Sequence, residues 1–184
     1  MNWSAKLRTP FATLGLASDG RAITRLAYLP SSERAQAPSD AISERALREI
    51  ERYLDDPAFR FTVPLAPGGT EFQQRVWRAL SEIPVGQSST YGEVARMVRS
   101  APRAIGQACG ANRIALIVPC HRVVGAMGSI GGFMNVGAAG PPQGARPLGG
   151  NPREAPFGGY ETAGDAIAIK HWLLTHEGYR FGSG

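Results

Sequence analysis

Cysteine is scarce in this chain. There are two among 184 residues, Cys109 and Cys120, too few for a disulfide ladder. With no CxxC pair and three histidines (His121, His171, His176), a closed zinc site is not expected either. No apolar run is long enough to span a bilayer, and the polar first ten residues lack the apolar centre of a secretory leader. A cytosolic protein with free thiols is therefore expected. Carboxylates are also missing from one long stretch. Between Val94 and Arg153 there are seven arginines (Arg96, Arg99, Arg103, Arg113, Arg122, Arg146, Arg153) and no Asp or Glu, while residues 1–67 are nearly balanced. In a chain of net charge +5, a one-signed stretch predicts an anionic partner, nucleic acid first; a solvated basic face is the alternative on charge alone. The apolar content of 43% suffices for an ordinary core, in one large domain or two small ones.

The residues that carry chemistry are Pro119-Cys120-His121-Arg122-Val123. They follow the apolar run Ile114 to Val118, which reads as a buried strand, and precede a Gly-rich turn from Gly125 to Gly132. A thiol beside an imidazole at such a place suits nucleophilic chemistry, and alone it would suit a cysteine hydrolase as well.

The Pro/Gly cluster at residues 64–69 reads as a linker, dividing an N-terminal α+β domain (1–67) from a C-terminal one (68–184). In the first, Phe11 to Ala17 and Ala22 to Leu29 flank Ser18-Asp19-Gly20, a hairpin signal. A helix opened by Ser39-Asp40 follows over Ala41 to Leu54, with Ile42, Ala46, Ile50 and Tyr53 at helical spacing, and Phe59 to Val63 reads as a returning strand. The second domain reads as mostly helical. Thr70 caps a helix through Phe72, Val76, Trp77 and Leu80, which ends near Pro84 and Gly86. Thr90 and Glu93 form a capping box for a short helix, and a break at Ser100-Ala101-Pro102 leads into a small-residue helix over Arg103 to Asn112. Two short helices on a tight turn predict a helix-turn-helix; two ordinary core helices packed through small residues is the competing reading.

Taken in order, Ile83-Pro84-x-Gly86, Thr90-Tyr91-Gly92, Arg103-Ala104-Ile105-Gly106, Asn112, Ile117 to Gly125 and Lys170-x-Trp172-Leu173-Leu174-x-x-Glu177-Gly178 resemble the O6-alkylguanine-DNA alkyltransferases. The resemblance covers most of residues 70–133 and 165–180, and its PCHRV block is highly specific. It implies an α+β fold: a small N-terminal α/β domain of ribonuclease H-like type, and a mostly helical C-terminal domain with a winged-helix or helix-turn-helix DNA-binding motif. The implied activity is direct reversal of DNA damage, a single-turnover transfer of a methyl or alkyl group from O6 of guanine to Cys120, with O4 of thymine a further candidate donor. The base must be flipped out of the stack first.

The resemblance also assigns residues. Cys120 is the acceptor, His121 couples to it through water, Glu177 orients His121, Tyr91 donates to the guanine ring, and Asn112 ties the recognition helix to the active-site turn. Backbone carbonyls of Cys120 and Val123 accept from the guanine amine, and Phe133 and Met134 belong to the pocket wall. Arg103 fills the space the flipped base leaves, in a minor-groove complex that also uses Tyr91, Ser100, Gly106 and Ala126. Cys109 reads as a packing residue and Lys170 as a surface one. No cofactor or metal is implied. The expected partner is double-stranded DNA containing O6-alkylguanine, met by a monomer with no membrane association, in the cytoplasm or, in a bacterium, on the nucleoid.

One departure from the family pattern is an insertion of about thirty residues between Phe133 and Lys170. Thirteen of the thirty-one residues from Met134 to Gly164 are Gly or Pro, which reads as a loop with little regular structure. Phe133-Met134 and Phe157 to Tyr160 are the alternatives for the wall over the alkyl group, and Arg146 and Arg153 are candidates for the DNA face. Two further function classes stay open: a non-enzymatic lesion binder that recruits other repair factors, and a helix-turn-helix regulator.

Overall fold

The structure, a computed structural model, describes residues 2–130, 132–133 and 163–181. Met134, Arg146, Arg153 and Phe157 to Tyr160, and with them the expected loop, lie outside the described residues.

Three antiparallel strands in the order β1 (Ala5–Arg8), β2 (Thr13–Ser18) and β3 (Ile23–Leu29) form the N-terminal sheet. The β2–β3 turn is built as its residues suggest: the Asp19 carboxylate accepts from the Arg21 and Ala22 amides, both at 2.8 Å, and Gly20 takes φ 84°. β1 was not anticipated, because Lys6 and Arg8 leave only Ala5 as a buried apolar residue in it. Helix α1 (Ala41–Asp55) packs on the sheet through Ala46, Ile50 and Tyr53, opened by an Asp40–Ser43 capping box.

Residues 59–63, expected as a strand, are not one. The buried Glu49 carboxylate accepts from the Thr62 amide (2.7 Å), the Val63 amide (2.9 Å) and the Thr62 hydroxyl (2.7 Å), while Arg45 donates to the Thr62 carbonyl at 2.9 Å. A helix side chain thus takes the backbone groups that a β-ladder would need.

Beyond 64–69 come α2 (Glu71–Ser81), β4 (Ser89–Thr90), α3 (Tyr91–Met97) and α4 (Pro102–Gly110), then β5 (Val123–Val124) and α5 (Ala163–His176). Capping boxes open α2 and α3, and Pro102 opens α4, as the sequence suggests. The Trp77 indole donates to the Ala108 carbonyl at 2.9 Å, fixing α2 against α4. β4 and β5 pair in parallel, which sets Val123 and Val124 beside the start of α3. One buried cluster includes Leu14, Leu26, Ile50, Trp77, Ile105, Val123 and Leu173, side chains from both sides of residues 64–69. The Leu26 amide donates to the Arg113 carbonyl at 2.8 Å, adding a backbone link between them.

Replacing Glu49 with Ala should cost about 2 kcal/mol, because the buried Val63 amide and the part-buried Thr62 amide and hydroxyl lose their acceptor. Urea unfolding measures it, as a lower midpoint at unchanged slope.

Candidate functional site

The apolar run before the thiol is a turn, which corrects the strand expected there. Leu116 has φ 78°, the Val118 amide donates to the Ile114 carbonyl (2.9 Å), and the Asn112 side chain spans the turn. Its Oδ1 accepts from the Ile114 amide at 3.0 Å and its Nδ2 donates to the Val118 carbonyl at 2.9 Å. Asn112, just past the end of α4, does what a neighbouring strand would otherwise do. The left-handed leucine costs on the order of 1 to 3 kcal/mol, which this network has to offset.

Cys120 to Arg122 then form a single 3-10 turn. Cys120 is buried, its Sγ 3.3 Å from Asn112 Nδ2. Burial pushes the thiol up, and the Asn112 hydrogen bond and the Lys170 charge act in the opposite sense.

His121 is fully buried. Its Nε2 is 2.9 Å from Glu177 Oε1, while Nδ1 has no hydrogen-bond partner among the described residues. Burial holds the imidazole below its usual range against the pull of Glu177. Since the carboxylate can only accept, the network assigns the proton to Nε2, leaving Nδ1 with a lone pair that can take one.

Glu177 sits at the end of α5, whose helix stops at Gly178 with φ 78°. Its Oε1 accepts from Tyr53 Oη (2.8 Å), His121 Nε2 and Arg122 Nη2 (2.9 Å), and its Oε2 from Arg122 Nε (2.9 Å). Burial raises this carboxyl, and His121 and Arg122 more than offset that, lowering it to about 2. The Ile83 to Gly86 turn backs the network. The Ile83 carbonyl accepts from Arg122 Nη1 at 2.6 Å, and at Gly86 (φ 75°) a Cβ would lie 3.0 Å from the Glu177 carbonyl.

Lys170, expected on the surface, is fully buried. Its Nζ donates to the carbonyls of Val123 (2.6 Å), Ile130 (2.5 Å) and Gly132 (3.2 Å) and lies 5.9 Å from the ring centres of Tyr91 and Phe133. The reason is helical phase: Ala166, Ile169, Lys170, Leu173 and Leu174 share the buried stripe of α5. The Tyr91 hydroxyl donates to the Gly132 carbonyl at 3.0 Å. Phe133 is buried, with its ring 6.0 Å from that of Tyr28.

The structure thus joins Cys120, His121, Glu177 and Asn112 in one buried cluster and brings Tyr91, Val123 and Phe133 together around Lys170. It does not bring the nucleic-acid candidates into that cluster. Arg103 is exposed and Ser100 and Gly106 are half-buried on the α3–α4 side, where Arg96, Arg99 and Arg113 are also exposed, and Ala126 lies in an exposed turn. Arg103 and Gly106 share the face of α4 opposite buried Ile105, Ala108 and Cys109. Sequence reasoning missed Tyr53, Arg122 as a ligand of Glu177, and Lys170; only the last left a signal, its place on the apolar stripe.

A model of the 6-O-methylguanine DNA methyltransferase, DNA binding domain, matches residues 71–148. A methylated-DNA-protein-cysteine methyltransferase of Methanosarcina mazei is 40% identical over 134 residues, 69% of this chain and 85% of that protein. The chain belongs to the methylated-DNA-protein-cysteine methyltransferase family. A family member from Mycobacterium bovis is 40% identical over 131 residues, 68% of this chain and 79% of its own. The crystal structure of Mycobacterium tuberculosis OGT in complex with DNA superposes with a TM-score of 0.69 at 32% identity, covering 94% of this chain and 90% of that one. The mixed α+β architecture is therefore that of the methyltransferase family.

Two outcomes are expected. Tyr53→Phe removes one donor from a buried carboxylate and should lower stability by about 2 kcal/mol, read by denaturant unfolding. Acid should destabilise the fold in two windows. The neutral imidazole of His121 refuses a proton that the unfolded chain takes below about pH 6.5. Glu177 then loses stabilisation as pH falls from the ordinary carboxylate range towards about 2. A pH series of unfolding free energies on wild type and Glu177→Gln measures both, and the lower window should vanish in the variant.

Proposed function

We propose that this protein reverses alkylation damage in DNA directly, moving the methyl or alkyl group from O6 of guanine to Cys120 in a single irreversible turnover. The observation that carries this reading is the buried Cys120 thiol, next in sequence to an imidazole whose Nε2 is held by Glu177 and whose Nδ1 is left to take a proton. In a family named for methyl transfer from DNA to a protein cysteine, that arrangement supports Cys120 as acceptor, His121 as base through a bridging water and Glu177 as its orienting partner. The Sγ–carbon bond forms as the carbon–O6 bond breaks. The thiol proton passes to His121, and guanine leaves and takes up one proton, so the net change is thiol plus alkylguanine to thioether plus guanine. Tyr91, once turned from Gly132, would donate to the departing purine.

The finer assignments belong to the same proposal. The α3–turn–α4 pair with the β4–β5 strands supports a winged helix-turn-helix that docks in the minor groove through Ser100, Arg103, Gly106, Ala126 and Tyr91. Four exposed arginines on 96–113 supply phosphate contacts or, for Arg103, fill the vacated stack. The three-stranded sheet backed by α1 supports a ribonuclease H-like N-terminal unit over 1–67, with 68–184 as the alkyl-transfer unit. Asn112 positions the thiol turn, and Val123 and Phe133 border the substrate.

The test is to incubate the protein with duplex DNA containing O6-methylguanine and weigh it. A gain of one methyl group on Cys120, absent in Cys120→Ala, is expected; tight lesion binding with no gain in mass would favour a lesion-binding protein instead. Glu177→Gln should slow transfer about 10- to 100-fold while sparing DNA affinity, and unchanged transfer kinetics would remove Glu177 from the relay.

A further inference from the structure

The donors around Glu177 are unevenly placed. Three of them converge on Oε1, the oxygen that His121 uses: Tyr53 Oη at 2.8 Å, His121 Nε2 at 2.9 Å and Arg122 Nη2 at 2.9 Å. Oε2 accepts from Arg122 Nε and, among the described residues, from nothing else. A hydroxyl that served only to offset the burial of the carboxylate would do so equally well on the less crowded oxygen. Placed on Oε1, Tyr53 shares its acceptor with the imidazole. A hydrogen bond to a carboxylate stabilises the charge where it sits, so each donor leaves less of that charge for the next. The tyrosine is also held where it can do this. It is buried on α1, its ring 5.5 Å from that of Phe61 and 5.3 Å from that of His176, whose Nε2 is 2.9 Å from the Tyr53 carbonyl. Burial and the Glu177 charge keep the phenol above its usual range, so it donates at every working pH.

We infer that Tyr53 is a positioning residue for the reaction at Cys120: by taking up part of the charge on Glu177 Oε1 it moderates the pull of the carboxylate on His121, and so keeps the imidazole neutral and free to accept the thiol proton. The inference rests on His121 being the base of the proposed transfer. Residues 1–67 thereby take part in the chemistry through one hydroxyl. The other charged groups acting on His121 are Glu177 itself, which draws a proton to it, and Arg122 and Lys170, which oppose one. All three remain when Tyr53 loses only its hydroxyl. With one donor fewer, Oε1 attracts the imidazole proton more strongly, so His121 is protonated at a higher pH and the base is lost earlier on acidification.

Tyr53→Phe removes the hydroxyl and leaves the ring, whereas 3-fluorotyrosine in place of Tyr53 makes the same hydroxyl a stronger donor. One readout is the proton resonance of His121 Nε2–H at pH 7, which needs neither DNA nor an alkylguanine and moves downfield as its hydrogen bond to Oε1 strengthens. It should move downfield in Tyr53→Phe and upfield with 3-fluorotyrosine. The other is the pH profile of single-turnover transfer from a saturating O6-methylguanine duplex. Its acid limb should rise by about half a pH unit or more in Tyr53→Phe, with the rates converging above it. A purely structural role would slow transfer by one factor at every pH. Such a uniform loss overturns the inference, as does an unmoved His121 resonance or an unmoved acid limb. If Tyr53→Phe does not fold, the fluorinated protein decides, since a resonance that stays in place or moves downfield is incompatible with the proposal. If the resonance moves as expected but the wild type transfers no alkyl group, the effect of Tyr53 on His121 stands and the proposed reaction falls.

Discussion

The Glu177 carboxylate is the point on which three separate parts of the chain converge. A buried carboxylate is tolerated only when its lone pairs are satisfied by donors that bring compensating charge. Here one donor comes from α1, through the Tyr53 hydroxyl, and the others from the 3-10 turn, through His121 and the two-pronged Arg122. Remove the carboxylate and Arg122 becomes a half-buried cation with the Ile83 carbonyl alone, His121 loses what fixes its ring and tautomer, and α1 loses its polar tie to α5. The His176 ring reinforces that tie, with its Nε2 2.9 Å from the Tyr53 carbonyl and its ring stacked 4.8 Å from that of Trp172. Stability and chemistry thus draw on the same bonds, and residues 1–67 contribute a donor to the carboxylate that orients His121.

Helix α5 and the residue after it bring a cation and an anion to the thiol turn and the segment that follows it. Lys170 and Glu177 are seven residues apart, two helical turns, so both fall on its buried face. Lys170 reaches past Val123 to the segment that follows the turn, and Glu177 holds the turn itself through His121 and Arg122. The buried thiol turn therefore meets a lysine on one of its flanking segments and a carboxylate on its own side chains. Neither charge could be replaced by an apolar residue without leaving its partners unsatisfied, which is why α5 and the residue after it carry two buried charges.

What could be read from the chain followed the range of the interactions involved. The helices were readable because their caps are local: Asp40 with Ser43, Thr70 with Gln73, and Thr90 with Glu93 each close within three residues. The thiol and its neighbouring imidazole stood out by residue type, whereas Glu177 came only from the family resemblance. Segment 59–63 failed as a strand because Glu49, more than ten residues away, captures its amides. Residues 114–118 failed because Asn112 folds them back, and apolar composition cannot distinguish a buried turn from a buried strand. Tyr53 gave no hint, since a tyrosine on the apolar face of a helix is ordinary and its partner lies 124 residues on. Lys170 could have been found from phase alone, but residue type outweighed position.

The same lysine bears on how the chain tolerates extra length. Its bonds to the Ile130 and Gly132 carbonyls fasten α5 to the residues just before the long Gly/Pro-rich insertion, 40 and 38 positions upstream. A loop whose two ends are fastened has an entropy cost that grows only logarithmically, about 0.6 kcal/mol for each doubling of its length. Changing the number of residues between Gly132 and Lys170 should therefore add little to the cost of holding these bonds.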